Sequence, residues 1–163
     1  EDWYFEVIQR KTAKLFQVAA QLGAILSSDS SEAIEAMHDY GFHLGMAYQL
    51  IDDALDYSLS MSQTGKNIGQ DLAEGKVTLP LIYAMRQCNA EDLSLLREAI
   101  QSGTTENLPQ ILDVIASTNA IQYTADAAKL HAQKAKSAIN SIVFSPYRKA
   151  LEDLSDFVVN RTY

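Results

Sequence analysis

Apolar and polar positions repeat at helical spacing along nearly the whole chain. Over 1–27, plotted at about 100° per residue, Phe5, Ile8, Thr12, Leu15, Phe16, Ala19, Leu22 and Leu26 share one broad arc, with Lys11 inside it near Ile8 and Leu15. A lysine and a threonine in such a face either snorkel at its edge or serve a polar partner. Ser27 to Ser31 breaks the pattern; Ser30 or Ser31 can cap the next helix, with Glu32 favoured in its first turn. The segment 32–57 is apolar nearly all round, as expected of a helix at the centre of a bundle. Two stripes stand out on it: Leu44, Tyr48, Ile51 and Leu55, and beside them Gly41, Gly45, Gln49, Asp52 and Asp56. The second runs from glycines through an amide to acids and predicts the wall of a cavity. Residues 58–76 form the longest irregular stretch, and loops of that length commonly carry function. Thr78-Leu79-Pro80 opens another helix, with proline tolerated in its first turn. Further helices are expected near 91–101, 105–117, 119–141 and 146–160, with Gly103, Asn119 and Pro146 at or near the joints. No strand alternation, repeat or linker interrupts this, so the expected class is all-α, one domain over 1–163.

The acids in Tyr48-Gln49-Leu50-Ile51-Asp52-Asp53-Ala54-Leu55-Asp56 sit in an otherwise apolar run. An unpaired buried charge costs several kcal/mol or more, so a cation should meet them. Asp52 and Asp56, four apart, share a helix face. Oxygen ligands at that spacing suit Mg²⁺, which takes one or two carboxylates and leaves its other positions to water and phosphate oxygens. Lys66 and Lys76 follow in a loop that can fold back over them. The plainer alternatives are a solvated helix end, a core amide at Gln49 and ordinary surface lysines. The apolar surround and the joint occurrence of these residues favour the metal site.

The chain has 163 residues, 47% of them hydrophobic, and a net charge of −8. That balance argues against a nucleic-acid partner, which needs a basic patch, but leaves room for a small phosphorylated substrate in a cleft with metal and local lysines. The single cysteine, Cys88, rules out an internal disulfide and fits a reducing, cytoplasmic setting. No apolar run approaches the roughly 20 residues of a membrane span, and no signal peptide is visible. Gly69 to Lys76 imitates a phosphate-binding loop, but the glycine spacing is wrong and Val77 stands where Ser or Thr would be needed. Glu35-Ala36-Met37-His38 has the spacing of a di-iron ligand pair without its required second copy. Glu152, Asp153 and Asp156 read as a solvated face. No nucleophilic triad is visible.

Three blocks carry a family resemblance: Lys11-Thr12-Ala13-x-Leu15-Phe16; Gly45-x-x-Tyr48-Gln49-x-x-Asp52-Asp53-x-x-Asp56; and Gly65-Lys66-Asn67-x-Gly69-x-Asp71-Leu72-x-Glu74-Gly75-Lys76-x-Thr78-Leu79-Pro80. In this order they resemble the second half of a trans-type polyprenyl diphosphate synthase. The match covers roughly 1–90, and the ending Phe157-Val158-Val159-Asn160-Arg161 is similar to long-chain members such as octaprenyl diphosphate synthases. The resemblance implies the C-terminal half of an isoprenoid-synthase helical bundle around a central cavity, paired as a homodimer. It implies Mg²⁺-dependent condensation of an allylic diphosphate with isopentenyl diphosphate through an allylic carbocation. By position, Asp52 becomes the direct metal ligand, with Asp53 and Asp56 completing the motif. Lys66 and Lys76, with Lys11 from the facing helix, hold the diphosphate. Thr12 and Gln49 turn oxygen dipoles toward the developing cation.

Tyr48 departs from the family's usual Phe, and the first Asp-rich motif with its arginine pair is absent. The expectation is therefore a chain whose N-terminal half is missing and which is inactive by itself, with an exposed half-core. The alternatives are a non-catalytic helical subunit of a heteromeric synthase, which would be expected to lose these acids and lysines, and a class I terpene cyclase, which fits the Gly-Lys block less well.

Overall fold

A computed structural model describes residues 1–27, 30–58, 68–103 and 105–161. Their regular elements are all helices, with no strand among them. In chain order the helices are α1 (Asp2–Ile8), a π-helical turn (Gln9–Ala13), α2 (Lys14–Ser27), α3 (Ser31–Leu55), α4 (Gln70–Ala73), α5 (Leu79–Gln87), α6 (Ala90–Ser102), α7 (Leu108–Ser117), α8 (Ala120–Ala138), a 3₁₀ turn (Ile139–Ser141) and α9 (Pro146–Asn160). α4 lies inside the stretch expected to be irregular throughout.

Local signals account for many of the boundaries. The Ser30 hydroxyl accepts the Ala33 N–H at the start of α3, and Asn89 and Ser145 do the same for α6 and α9. Pro80 stands in the first turn of α5. Gly103 and Asn119, two of the expected joints, both have left-handed backbones, with φ of 62° and 56°. Asparagine and glycine enter that region at little cost.

The chain divides into two compact units, Asp52–Asp126 with Glu1, and Asp2–Ile51 with Ala127–Arg161. In the first, Tyr57, Leu72, Leu81, Leu96, Ile111 and Ile115 form a dry core. In the second, Tyr40, Leu44 and Ala47 of α3 pack against Ala132, Ala135, Ile139 and Val158. Small residues on α8 let its backbone approach α3 closely, and the Tyr40 hydroxyl donates to the Leu151 carbonyl at 2.9 Å. In the middle of α9, Asp153 and Asp156 are exposed, as expected, and pair with Lys149 and Lys136, whereas Glu152 is partly buried against Arg148.

Two expectations about the second unit need correction. The first concerns the arc predicted over 1–27. Ile8 is buried, but Leu15, Leu22 and Leu26 are 74%, 49% and 86% exposed, and the buried positions are Tyr4, Ile8, Ala13, Gln17 and Ala24. Lys11, placed inside that arc, is exposed. The π turn at Gln9–Ala13 supplies the reason. It adds a residue to one turn, so the inward face moves on by one position beyond it. The second concerns the glycine end of the α3 stripe, expected to border open space. A Cβ on Gly41 would lie 2.5 Å from the Phe16 carbonyl oxygen, and one on Gly45 would lie 2.6 Å from the Ala13 Cα. The space belongs to the backbone preceding and within α2, seated directly on α3.

This contact gives a paired expectation for urea unfolding. Gly41→Ala gains up to about 1 kcal/mol of helix propensity, but its methyl meets backbone that cannot yield, and overpacking costs typically about 1–3 kcal/mol. It should destabilise the protein. Gly23, with nothing within 4 Å of an added Cβ, should give Gly23→Ala a gain of about 0.5–1 kcal/mol. Equal shifts in the two variants would show that α2 does not press on α3 in this way.

Candidate functional site

The acids stand at the C-terminal end of α3. Asp52 and Asp56 are half-buried, whereas Asp53 is only 3% exposed. The Asp56 N–H donates to the Asp52 carbonyl at 3.2 Å, so helical geometry continues past Leu55 and keeps the two carboxylates on one face. Tyr57 then turns into the core at 1% exposure.

The chain returns to this point through 69–76. Gly69 donates to the Asp56 carbonyl at 3.0 Å, and the Asp71 N–H donates to Asp56 Oδ2 at 3.0 Å. Leu72 is buried beside Tyr57 in the same core, which anchors α4 there. Gly69 and Gly75 have φ of 74° and 70° and bracket α4. Those left-handed residues, and not a phosphate loop, explain the glycines. After Gly75 the chain doubles back, and the Lys76 ammonium donates to Asp71 Oδ1 at 3.2 Å and also pairs with Glu74. Lys76 therefore stands on the acid cluster through Asp71.

Burial, foremost, raises the Asp56 carboxyl to about 6; the Asp71 N–H lowers it, and the charges of Asp71 and Asp52 raise it further. Such a carboxylate gains from a nearby cation. Among the described residues no three His, Cys, Asp or Glu side chains converge as a ready-made metal cage. The donors are all oxygen. A hard dication that keeps several waters and takes one or two carboxylates suits this arrangement; an ion that demands a full protein shell does not.

In the other unit, the Thr12 hydroxyl donates to Gln49 Oε1 at 2.6 Å. The two residues assigned the same role from the sequence are thus brought together, with Thr12 carried by the π turn. Lys11, on that turn, is exposed, and Lys66 lies outside the described residues. Tyr48 is held between the Phe16 ring at 5.4 Å and the Arg161 guanidinium 4.2 Å over its face, and Arg161 also donates to the Tyr48 carbonyl. An aromatic ring in this place serves a cation–π contact, whether Phe or Tyr carries it. Glu35 is exposed, and His38 contacts Gln17 and Asp39.

The family model for polyprenyl synthetase matches residues 1–116. The chain belongs to the polyprenyl synthetase family. It is 45% identical over 98% of its length to the octaprenyl diphosphate synthase of Haemophilus influenzae, covering 49% of that protein, and 40% identical to that of Escherichia coli, covering 50%. Among solved structures it superposes with a TM-score of 0.90, at 39% identity, on a Caulobacter crescentus polyprenyl synthase complexed with calcium and isoprenyl diphosphate, over 97% of this chain and 49% of that one. The chain spans about half the length of the curated relatives it matches.

Asp71 is the polyprenyl synthetase residue that motif reading quoted without assigning a role. Its signal was present: an acid between two glycines, followed at once by a leucine fit for burial. What lacked a local signature was its meeting with Asp56.

The raised Asp56 value has a definite consequence for the metal-free protein. A carboxyl whose folded pKa exceeds its unfolded one stabilises the fold when protonated. That contribution is complete below about 3.8 and is lost as pH rises through about 6. Asp56→Asn keeps an acceptor for Asp71 without the charge. Above pH 6 it should stabilise the metal-free protein by about 1 kcal/mol after allowance for solvent screening, with the gain vanishing toward pH 4. Urea melts across this range would detect it; no gain at neutral pH would mean that the Asp56 charge is not strained.

Proposed function

We propose that this chain is the second half of a prenyl-elongating enzyme, which joins an allylic diphosphate to isopentenyl diphosphate and yields a long trans-polyprenyl diphosphate. The observation that carries the reading is the folding of Asp71 and Lys76 back onto Asp56, which gathers carboxylates and an ammonium at one spot. Family membership and the names of the relatives support it.

In this reaction the allylic carbon–oxygen bond breaks and its electron pair leaves with the diphosphate. The π electrons of isopentenyl diphosphate form the new carbon–carbon bond, and a proton is then lost. Asp52, with Asp53 and Asp56, would hold Mg²⁺, which when bound neutralises charge on the departing diphosphate. Asp52 would be the direct donor, and Asp56 and Asp53 would complete the site directly or through metal-bound water. Lys76, and Lys66 with it, grip the leaving group as point charges. Lys11, exposed on its π turn, would be a further contact to the diphosphate, as the family resemblance implies. The paired Thr12 and Gln49 present oxygen dipoles to the developing cation. Leu15, Val18, Leu22 and Ile25 leave an apolar line exposed on α2, a surface fit to be covered by the N-terminal half of the enzyme and its walls, from which water must be excluded. Among the described residues no helix is long and apolar enough to cross a membrane. We read the assembled enzyme as a cytoplasmic homodimer.

The test is incorporation of labelled isopentenyl diphosphate into an extended product by the full-length protein with Mg²⁺ and an allylic diphosphate. Asp52→Ala should reduce turnover at least about 100-fold, a barrier increase of ~3 kcal/mol, without loss of helical content, and the chain alone should not turn over. Consumption of the allylic substrate without incorporation would instead indicate a cyclase. Inactivity of the intact protein would indicate a non-catalytic subunit, and near-normal turnover in Asp52→Ala would remove that residue as a ligand.

A further inference from the structure

Buried hydroxyls in this fold have partners almost everywhere, as is usual. Tyr40 donates to the Leu151 carbonyl, and Thr124 and Ser155 donate to carbonyls four residues back, at 2.9, 2.9 and 3.0 Å. Tyr57 and Thr78 are the exceptions. They are 1% and 6% exposed, and among the described residues neither hydroxyl has a hydrogen bond of full geometry. Thr78 stands at the N-cap of α5, where a threonine hydroxyl ordinarily accepts a first-turn N–H, yet its side chain caps nothing. It acts instead on the Tyr57 hydroxyl, as a hydrogen-bonding neighbour would. Phenylalanine and valine would fill the same two places without the cost of an unpaired buried hydroxyl.

The two positions bracket the candidate site along the chain. Tyr57 directly follows Asp56, and Thr78 comes two residues after Lys76. Between them lie the contacts that close the loop, from the Asp71 N–H to the Asp56 carboxylate and from the Lys76 ammonium to Asp71. We propose that Tyr57 and Thr78 are positioning residues whose hydroxyls complete a hydrogen bond to each other when a dication and a diphosphate occupy the acid cluster, and that this bond fixes Lys76 relative to Asp56. The link rests on the metal–diphosphate reading of the cluster given above. In the metal-free protein the charges of Asp71 and Asp52 work against that of Asp56. Once that repulsion is neutralised, the Asp71 turn and the segment behind it settle against the end of α3, and Thr78 comes up to Tyr57. The bond then contributes to binding and not to the stability of the metal-free fold, where the two hydroxyls are a burden.

The experiment uses the full-length protein. Calorimetry measures binding of Mg²⁺ with inorganic diphosphate, and urea melts measure stability without metal. Tyr57→Phe and Thr78→Val should each weaken binding about three- to tenfold, the weight of one hydrogen bond. The double variant should bind no more weakly than either single one, because all three lose the same bond. Thr78→Ser, which keeps the hydroxyl, should bind like the parent. Without metal, the urea midpoints of Tyr57→Phe and Thr78→Val should not fall, a result that a purely structural hydroxyl pair would not give. A lower midpoint in metal-free Tyr57→Phe, or unchanged affinity in either single variant, would overturn the link. Prenyl elongation by the parent is followed in parallel. Binding of magnesium diphosphate without elongation, with the variants weakened as expected, would support the link and sink the elongation reading; no binding by the parent would overturn the link itself.

Discussion

Two carboxylates are held together here against their own repulsion by the side chains next to them. Tyr57 and Leu72 are both driven into one dry core, and each immediately follows an acid. Burying a large apolar side chain is worth about 1.5–3 kcal/mol, and two such side chains, Tyr57 and Leu72, act together against the repulsion of the two acids. The core therefore wins and leaves Asp56 and Asp71 joined through a backbone N–H. Burial above all, with the charges of Asp71 and Asp52 behind it, raises the Asp56 carboxyl. A carboxylate held in this way gains from a nearby cation.

A second constraint operates at the other unit through the absence of side chains. Gly41 and Gly45 let the π turn and α2 lie on α3 with backbone against side chain and backbone. The π turn sets the rotation of this segment, and the rotation decides that Thr12, and not an apolar neighbour, meets Gln49. Close packing and site geometry are thus one arrangement: a methyl group added at Gly45 would push on Ala13, the residue after Thr12.

Membership of the polyprenyl synthetase family gives these features a common sense. The chain corresponds to about half of its curated relatives, and the face it leaves apolar and exposed lies on α2, from Leu15 to Ile25. An exposed stripe of this kind is costly to leave wet.

The helices and many of their ends could be read from residue order, because caps, prolines, left-handed joints and 3.6-residue periodicity act within a few residues of where they are written. So could the acid cluster, since three aspartates in an apolar run are anomalous in any fold. Three things were decided only in three dimensions. The π turn moved the inward face on by one position, so Ala13, Gln17 and Ala24 are buried and Leu15, Leu22 and Leu26 exposed; a regular 100° plot carries no sign of an inserted residue. The glycines of α3 became a helix contact and not a cavity, because emptiness on one helix says nothing of what fills it. Asp71 joined the site because a core fifteen residues in the making, from Asp56 onward, pulled two distant turns together. Local rules determine which elements form, but the partner of each face is set by the competition of all buried surfaces at once.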